Sequence, residues 1–418
     1  MPSSERHSFG ADVLDSHFPG MLTGEAFERH IESLAQQTPR FAVLVVSIDD
    51  FEKKLKDFGE TLFLPRLIQL PRVLADLNGT WEIRWGRLGA HVFGLFCPYL
   101  GEEAAVDLAK VLQRRYTNVT DETVSVGLAV YPFGPFEPVT ILENARKALT
   151  HASFFGARTV TPFDAVSLNI SADKLYQNGD VEGAIAEYET AAEIDPGNLN
   201  VYNSLGVCYG VRGDLDKAIG AFEAAVAISP EDVMATYNLG LTYLKQKKRN
   251  RALELFLRAR SLDGQNPDIA GHIGMSYQEM GEIDNAIIYL EEAAERISVG
   301  SGVFRSLADC YVAKEDFHNA AKFYEKAIKA SPRDAKSLNS LAHVYGILGE
   351  NLEIAIVLAE ESVSIAGDNG LYQRRLGELY MKWGDYEKAM AALAHAHELG
   401  HPCKELIEKA RNKAQGRQ

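Results

Sequence analysis

The spacing of apolar and polar positions divides the chain in two. From Ala165 to about Cys403 apolar residues recur at three- and four-residue steps, the period of amphipathic helices, and the pattern also repeats as a block. Units set in register begin at Ala165, Leu199, Val233, Pro267, Ser301, Ala335 and Gly370, a step of 34 residues with one extra residue in the sixth unit. The eighth place of each unit is small (Ala172, Gly206, Gly240, Gly274, Ala308, Ala342, Gly377), and three residues later stands Leu175 or a tyrosine (Tyr209, Tyr243, Tyr277, Tyr311, Tyr345, Tyr380). A second small place follows at Ala184, Ala218, Ala252, Ala286, Ala320, Ala355 and Ala389, and four residues on the side chain is usually large: Tyr188, Phe222, Phe256, Leu290, Tyr324, Leu393. Each unit therefore predicts two helices whose backbones approach where the side chain is only hydrogen or methyl, with bulky groups filling the space beside that contact. Asn178-Gly179-Asp180, Gly213-Asp214 and Gly384-Asp385 supply turns between paired helices, and Pro196, Pro230 and Pro332 close units.

Upstream the period changes. Gly24 to Gln36 reads as an amphipathic helix with Thr23 as its N-cap, and Phe41 to Ile48 (FAVLVVSI) as a buried strand. Trp81 to Trp85 and Val92 to Cys97 predict a hairpin turning around Gly86 to His91. A helix at Glu102 to Arg115, a strand at Thr123 to Tyr131, a helix at Val139 to Phe154 and a strand at Thr159 to Phe163 complete the series. This alternation predicts an α/β (α+β) domain, a mixed sheet with helices on its faces, followed by an all-α solenoid. The expected boundaries are an N-terminal tail at 1–17, the sheet domain at 18–164, seven repeats at 165–403, and a polar capping helix (Lys404 to Ala414) and tail at 404–418. Asp164 to Ser167 is too short for a flexible tether, so the sheet is expected to pack on the first repeat.

With 418 residues the chain exceeds one compact core, and 46% hydrophobic with 24% charged residues is the balance of a soluble globular protein. The 43 basic and 58 acidic residues give a net charge of -15; no basic patch stands out, and neither nucleic acid nor an acidic membrane is an expected partner. Cys97, Cys208, Cys310 and Cys403 are widely separated, which argues against a zinc site or a disulfide framework and for buried thiols. Met1 to Gly20 lacks the basic-then-apolar pattern of a leader, and no window approaches the ~20 apolar residues of a membrane span. A cytoplasmic location is the expectation.

The repeats resemble the tetratricopeptide family in period, in the two small places and in the closing proline. The resemblance implies a right-handed superhelix of helix hairpins whose concave groove holds a partner protein or peptide. By that analogy the second, fifth, ninth, twelfth and thirteenth places of the units face the groove, which gives Asn203, Tyr237, Lys245, Arg305, Asp309, Lys336, Asn339, Arg374 and Lys382. Cationic and amide side chains in an acidic chain suit an acidic or C-terminal carboxylate peptide.

Residues 18–163 resemble the GGDEF family of diguanylate cyclases. The matching stretches are Met21-Leu22-Thr23-Gly24 with Phe27, Ser47-Ile48-Asp49-Asp50-Phe51 with Gly59, Arg87-Leu88-Gly89-Ala90-His91-Val92-Phe93 with Pro98, Thr123-Val124-Ser125-Val126-Gly127, and the helix from Ala145 to Gly156. A nucleotide-cyclase-like fold is what the resemblance implies. It also implies loss of activity: the magnesium-holding places fall on Ser47 and on His91 or Val92, the guanine-reading places on Leu55 and Lys56, and the phosphate-contacting places on Ser153 and Ala157. Ala90 replaces the second glycine of the degenerate motif Gly89, Ala90, His91, Val92, Phe93, and the inhibitory product site would fall on Thr80 to Ile83 (TWEI), which fits neither end. Phosphoryl transfer of this class depends on hard carboxylate-held cations, so no enzyme activity and no cofactor are expected.

Asp49 and Asp50 at a strand end are the weak candidates for a metal site, and with no second acidic cluster a solvated turn is favoured. His91 reads as a surface-turn histidine, and His395, His397 and His401 as helix-surface residues without ligand spacing. The expected function is a non-catalytic, bacterial interaction scaffold, in which the cyclase-like domain is a cap, docking or regulatory module for signalling. The alternative is a nucleotide receptor or divergent cyclase with an altered site.

Overall fold

The computed structural model describes residues 11–263, 266–295 and 300–416. The chain divides into two compact units, Met1–Ile228 and Ser229–Gln418. Residues 1–10 of the expected tail lie outside the described residues; its remainder, Ala11–His17, is a helix (α1) with Leu14 wholly buried, and so not a free tail. Residues 417–418 of the C-terminal tail also lie outside the described residues.

The first unit is centred on β1 (Phe41–Ile48), whose residues are buried on both faces, as a continuous β-branched run requires. It pairs antiparallel with β3 (Val92–Pro98) and β4 (Val124–Tyr131), and the sheet order is β2-β3-β1-β4-β5, with β2 at Arg84–Arg87 and a short parallel edge, β5, at Val160–Pro162. Helix α2 (Gly24–Gln37) precedes β1; α3 (Phe51–Phe58) and α4 (Glu60–Leu77) follow it; α5 (Glu102–Val119) and α6 (Ile141–Ala152) flank β4 in the chain. Ala42, Leu44, Val46 and Ile48 share one core with Phe63, Leu67 and Leu74 of α4 and Leu108, Leu112 and Tyr116 of α5. On β4, a Cβ at Gly127 would lie 2.0 Å from the Leu149 backbone nitrogen, so α6 packs directly onto the strand backbone there.

Two local expectations are corrected. Helices α3 and α4 are absent from the sequence reading, because Pro65 and Pro71 lie inside α4 and proline normally ends a helix. The first hairpin strand starts three residues later than expected and includes Gly86, whose missing side chain makes room for the Phe27 ring and the Leu22 carbonyl; the turn is instead built by buried Arg87, which donates to the carbonyls of Gly89 and Ala90, each at 2.9 Å. Thr23 stands at the N-cap of α2 as expected but makes no side-chain hydrogen bond there, and its backbone bridges to Arg87.

The first unit also holds two helix hairpins, α7 (Ala165–Gln177) with α8 (Val181–Ile194) and α9 (Leu199–Arg212) with α10 (Leu215–Ile228). Asp164 and Ser167 form a capping box at the start of α7, and His151 of α6 reaches the Ser167 hydroxyl at 3.1 Å. Lys147 of α6 pairs with Glu187 of α8 at 2.6 Å with little of either side chain exposed. The sheet region thus packs on the first hairpin.

The second unit contains α11 (Val233–Lys245) and α12 (Arg249–Leu262), α13 (Pro267–Glu279) and α14 (Ile283–Ala294), α15 (Ser301–Ala313) and α16 (Phe317–Ala330), α17 (Ala335–Leu348) and α18 (Leu352–Ile365), α19 (Gly370–Trp383) and α20 (Tyr386–Glu398), and α21 (Lys404–Ala414). The first helix of every hairpin starts on the residue read as a repeat start. A Cβ at Gly206, Gly240, Gly274 or Gly377 would lie 2.6–2.7 Å from Phe222, Phe256, Leu290 or Leu393 respectively. Where the eighth place is Ala172 or Ala308 the facing ring is Tyr188 or Tyr324, and its hydroxyl donates to Asp173 or Asp309. A second recurring bond joins neighbouring hairpins: Tyr311 and Tyr345 donate to Glu291 and Glu325 at 2.5 and 2.6 Å, and Tyr209 and Tyr380 likewise to Glu189 and Glu360, each twenty residues earlier. The residue that turns the chain between paired helices is left-handed in each hairpin: Gly179, Gly213, Lys247, Gly281, Glu315, Gly349 and Gly384, with φ from 59° to 93°.

Two substitutions separate the units. Gly127→Ala is expected to destabilise the first unit, and Gly240→Leu the second, each by roughly 1–3 kcal/mol because a side chain is forced into a filled contact. Amide exchange should show protection lost first within 1–228 for Gly127→Ala and around α11 to α14 for Gly240→Leu; uniform loss over the whole chain for either would contradict it.

Candidate functional site

A polar cleft of about 460 Å³ lies at the carboxyl end of β1. Ser47, His91, Ser153 and Ala157, which the cyclase resemblance assigns to metal and phosphate places, line it together with Asp49 and Asp50. Leu55 and Lys56, assigned to guanine recognition, do not. Asp49 Oδ2 accepts from the Thr123 hydroxyl at 2.7 Å and from the Arg158 backbone N–H at 2.8 Å, so this carboxylate ties the end of β1 to the segments before β4 and β5. Asp50 takes a left-handed conformation (φ 55°) at the start of α3. Among the described residues no group of three His, Cys, Asp or Glu side chains is placed to hold a metal.

His91 is not the surface-turn residue expected. Its ring stacks on Phe51 with centroids 4.1 Å apart, and its buried Nδ1 has no hydrogen-bond partner. Burial lowers its pKa to about 4, against the opposing pull of Glu52, so the imidazole is neutral near pH 7. A stacked neutral ring thus stands where the cyclase resemblance assigns a metal place, and Val92 and Phe93 run into β3.

The nine residues assigned to the groove meet different fates. In the first unit, Asn203 on α9 is half-buried, its Oδ1 without a partner. In the second, Tyr237 packs against Phe256 and His272 at 5.8 and 5.6 Å, and Lys245 is exposed at the end of α11. Arg305 pairs with Asp334 at 2.7 Å; although burial opposes it, the Ser337 hydroxyl and the Arg305 guanidinium hold the Asp334 carboxyl below its ordinary range. Arg374 pairs with Glu378 at 2.9 Å along its own helix, and Lys382 donates to the Gly346 carbonyl. Asn339 is wholly buried, its Oδ1 accepting from Arg375 at 2.9 Å.

Asp309 and Lys336 do come together, 3.5 Å apart, at the edge of a cavity of about 390 Å³ shared by the fifth, sixth and seventh hairpins. Its other walls are Val312, Tyr324, Ser340, Asn369, Leu371, Tyr372 and Arg375. Arg375, the cation of this cavity that analogy missed, is one residue beyond the assigned Arg374, and a one-residue step turns a helical side chain by about 100°. In the repeat register Arg375 aligns with Ser340 of the preceding unit, another wall of the cavity, and it donates to Asn339 one place before it. Burial lowers the Arg375 pKa from its ordinary value but leaves the group cationic near pH 7.

Family models match the repeat region: one described as TPR repeat at 172–210, one as anaphase-promoting complex, cyclosome, subunit 3 at 211–293, and one as tetratricopeptide repeat at 306–334 and 375–399. No GGDEF model matches, and no curated protein does. Similar solved structures include YrrB, titled a TPR protein with an unusual peptide-binding site (25% identity, 42% of this chain and 91% of that one, TM-score 0.38), MamA (27%, 40% and 96%, 0.37) and pilF of Pseudomonas aeruginosa (18%, 50% and 95%, 0.46). The C-terminal region of this chain is built of tetratricopeptide repeats.

Proposed function

We propose that the chain is a non-catalytic scaffold whose repeats take a partner peptide in the cavity between the fifth and seventh hairpins. The observation that supports this reading is the wall of that cavity: Lys336 and Arg375 offer donors to a carboxylate, while Val312, Leu371 and Tyr372 offer apolar surface beside it. The assigned groove residues Arg305 and Arg374 serve less well, since their carboxylate partners stand at 2.7 and 2.9 Å, closer than the 3.5 Å between Asp309 and Lys336.

The N-terminal sheet is, on this proposal, a degenerate cyclase-like module of bacterial signalling that caps the first hairpin. Its supporting features are the element order β-α-α-β-β-α-β-α-β, the engaged Asp49 and the neutral His91 where a charged metal ligand is needed. Four free and buried thiols fit a reducing, cytoplasmic setting. No helix among the described residues is long and apolar enough to cross a membrane.

Peptides selected by panning a displayed library on the full chain should carry a carboxylate, and Lys336→Glu should weaken them about tenfold, the scale of a lost charge-assisted contact. Lys336 is exposed, so the circular dichroism of the variant should match the parent. Undiminished binding to the variant would place the partner elsewhere. Arg305→Glu is a poorer test, because it would oppose Asp334 and disturb the start of α17.

With GTP and magnesium the chain should form no cyclic dinucleotide, and His91→Asp should not restore activity, since several groups of a cooperating set are replaced. Turnover proportional to protein concentration, or micromolar nucleotide binding by calorimetry, would instead favour the receptor or divergent-cyclase reading.

A further inference from the structure

The turn between α11 and α12 departs from the rest of an acidic chain. Lys245, Lys247, Lys248, Arg249 and Arg251 put five cations in seven residues, a local patch hidden in a net charge of -15. All five are exposed, and an open concavity of about 390 Å³ is lined by Lys247, Lys248, Arg249, Asn250 and Arg251 alone. Arg249 pairs with Glu279 at 2.5 Å. Lys248 and Arg251 lie over the Tyr243 ring, 5.6 and 5.8 Å from its centroid, which fixes their direction without neutralising them. Among the described residues no carboxylate stands at ion-pair distance from Lys245, Lys247, Lys248 or Arg251.

The same turn lacks a cap that three of its counterparts have. Asp180, Asp316 and Asp385 cap the second helix of their hairpins through a carboxylate, whereas Lys248 at the head of α12 makes no side-chain cap. Lys247 sits at φ 62° where five of the seven hairpins use glycine, so a long cation is kept at a position that disfavours a side chain.

We propose that this turn docks a short acidic segment of a partner polypeptide. The reach of the patch selects the class of partner: charges act over about 8–10 Å at physiological salt, so a brief run of carboxylates feels the cations alone. A nucleic acid strand or an anionic membrane extends beyond that distance and meets the acidic remainder of the surface. The turn is a second contact point, independent of the cavity at Lys336 and Arg375.

A labelled octaglutamate peptide, with octaglutamine as the uncharged control, tests the proposal by fluorescence anisotropy on the full chain at low salt. Octaglutamate should bind and octaglutamine should not. Lys247→Glu with Lys248→Glu should weaken binding about tenfold, as expected for reversed close charges. These changes should leave folding intact, because Glu315 already occupies the equivalent left-handed place and an acidic residue suits a helix start. Lys247→Gly, which relieves the backbone, should weaken binding with no loss of melting temperature. Equal affinity in the parent and the Lys247/Lys248 variants overturns the proposal. So does tighter binding of a single-stranded oligonucleotide, or of phosphatidylserine vesicles, that the same variants abolish.

Discussion

Everything in the C-terminal region depends on how closely two helices can approach at one place per hairpin. A hydrogen or methyl at the eighth place lets a ring or branched side chain of the paired helix sit against the backbone, and the wholly buried second alanine does the same from the other side. Packing of that density tolerates little change in volume. Because the contact lies within a hairpin, each unit carries its own fold and needs only its neighbours to bury the rest. At two of the three methyl places, Ala172 and Ala308, the facing ring is Tyr188 or Tyr324, and its hydroxyl finds an acceptor on the facing helix.

This is why the repeats were legible in the sequence to the residue. The constraint is local, falls on residue types that differ sharply in size, and recurs. The strands β1, β3 and β4 were legible for a related reason, since a β-branched run buried on both faces leaves little alternative. Helix α4 was not, because its two prolines imitate breaks, and the shifted β2 was not, because Gly86 imitates a turn residue while serving a ring contact. Site residues were less legible than folds. Asp309 and Lys336 follow from analogy, but Arg375 against Arg374 is decided by helix phase, and the cations from Lys245 to Arg251 vanish when charge is averaged over the whole chain.

The polar groups of the N-terminal cleft are engaged in holding the sheet together. Asp49, at a strand end where a carboxylate is suited to metal chemistry, instead accepts two hydrogen bonds that fasten β1 to the segments leading into β4 and β5. His91, stacked on Phe51 and kept neutral by burial, contributes ring contact rather than charge. Both residues now act on the stability of the sheet.

The tyrosine-to-glutamate bonds between neighbouring hairpins have a mechanical meaning. Each is a rung at a fixed twenty-residue offset, a charge-assisted bond that resists two hairpins sliding apart. Tyr277 breaks the series, because the residue twenty places before it is Leu257, which accepts nothing, and the ring stacks on Tyr289 of its own hairpin instead. At the joint between the third and fourth hairpins the rung is instead made of ion pairs, Arg249 with Glu279 at 2.5 Å and Arg260 with both oxygens of Glu292 at 2.6 and 2.8 Å, so this joint alone in the series trades a tyrosine hydroxyl for full charges that salt can screen.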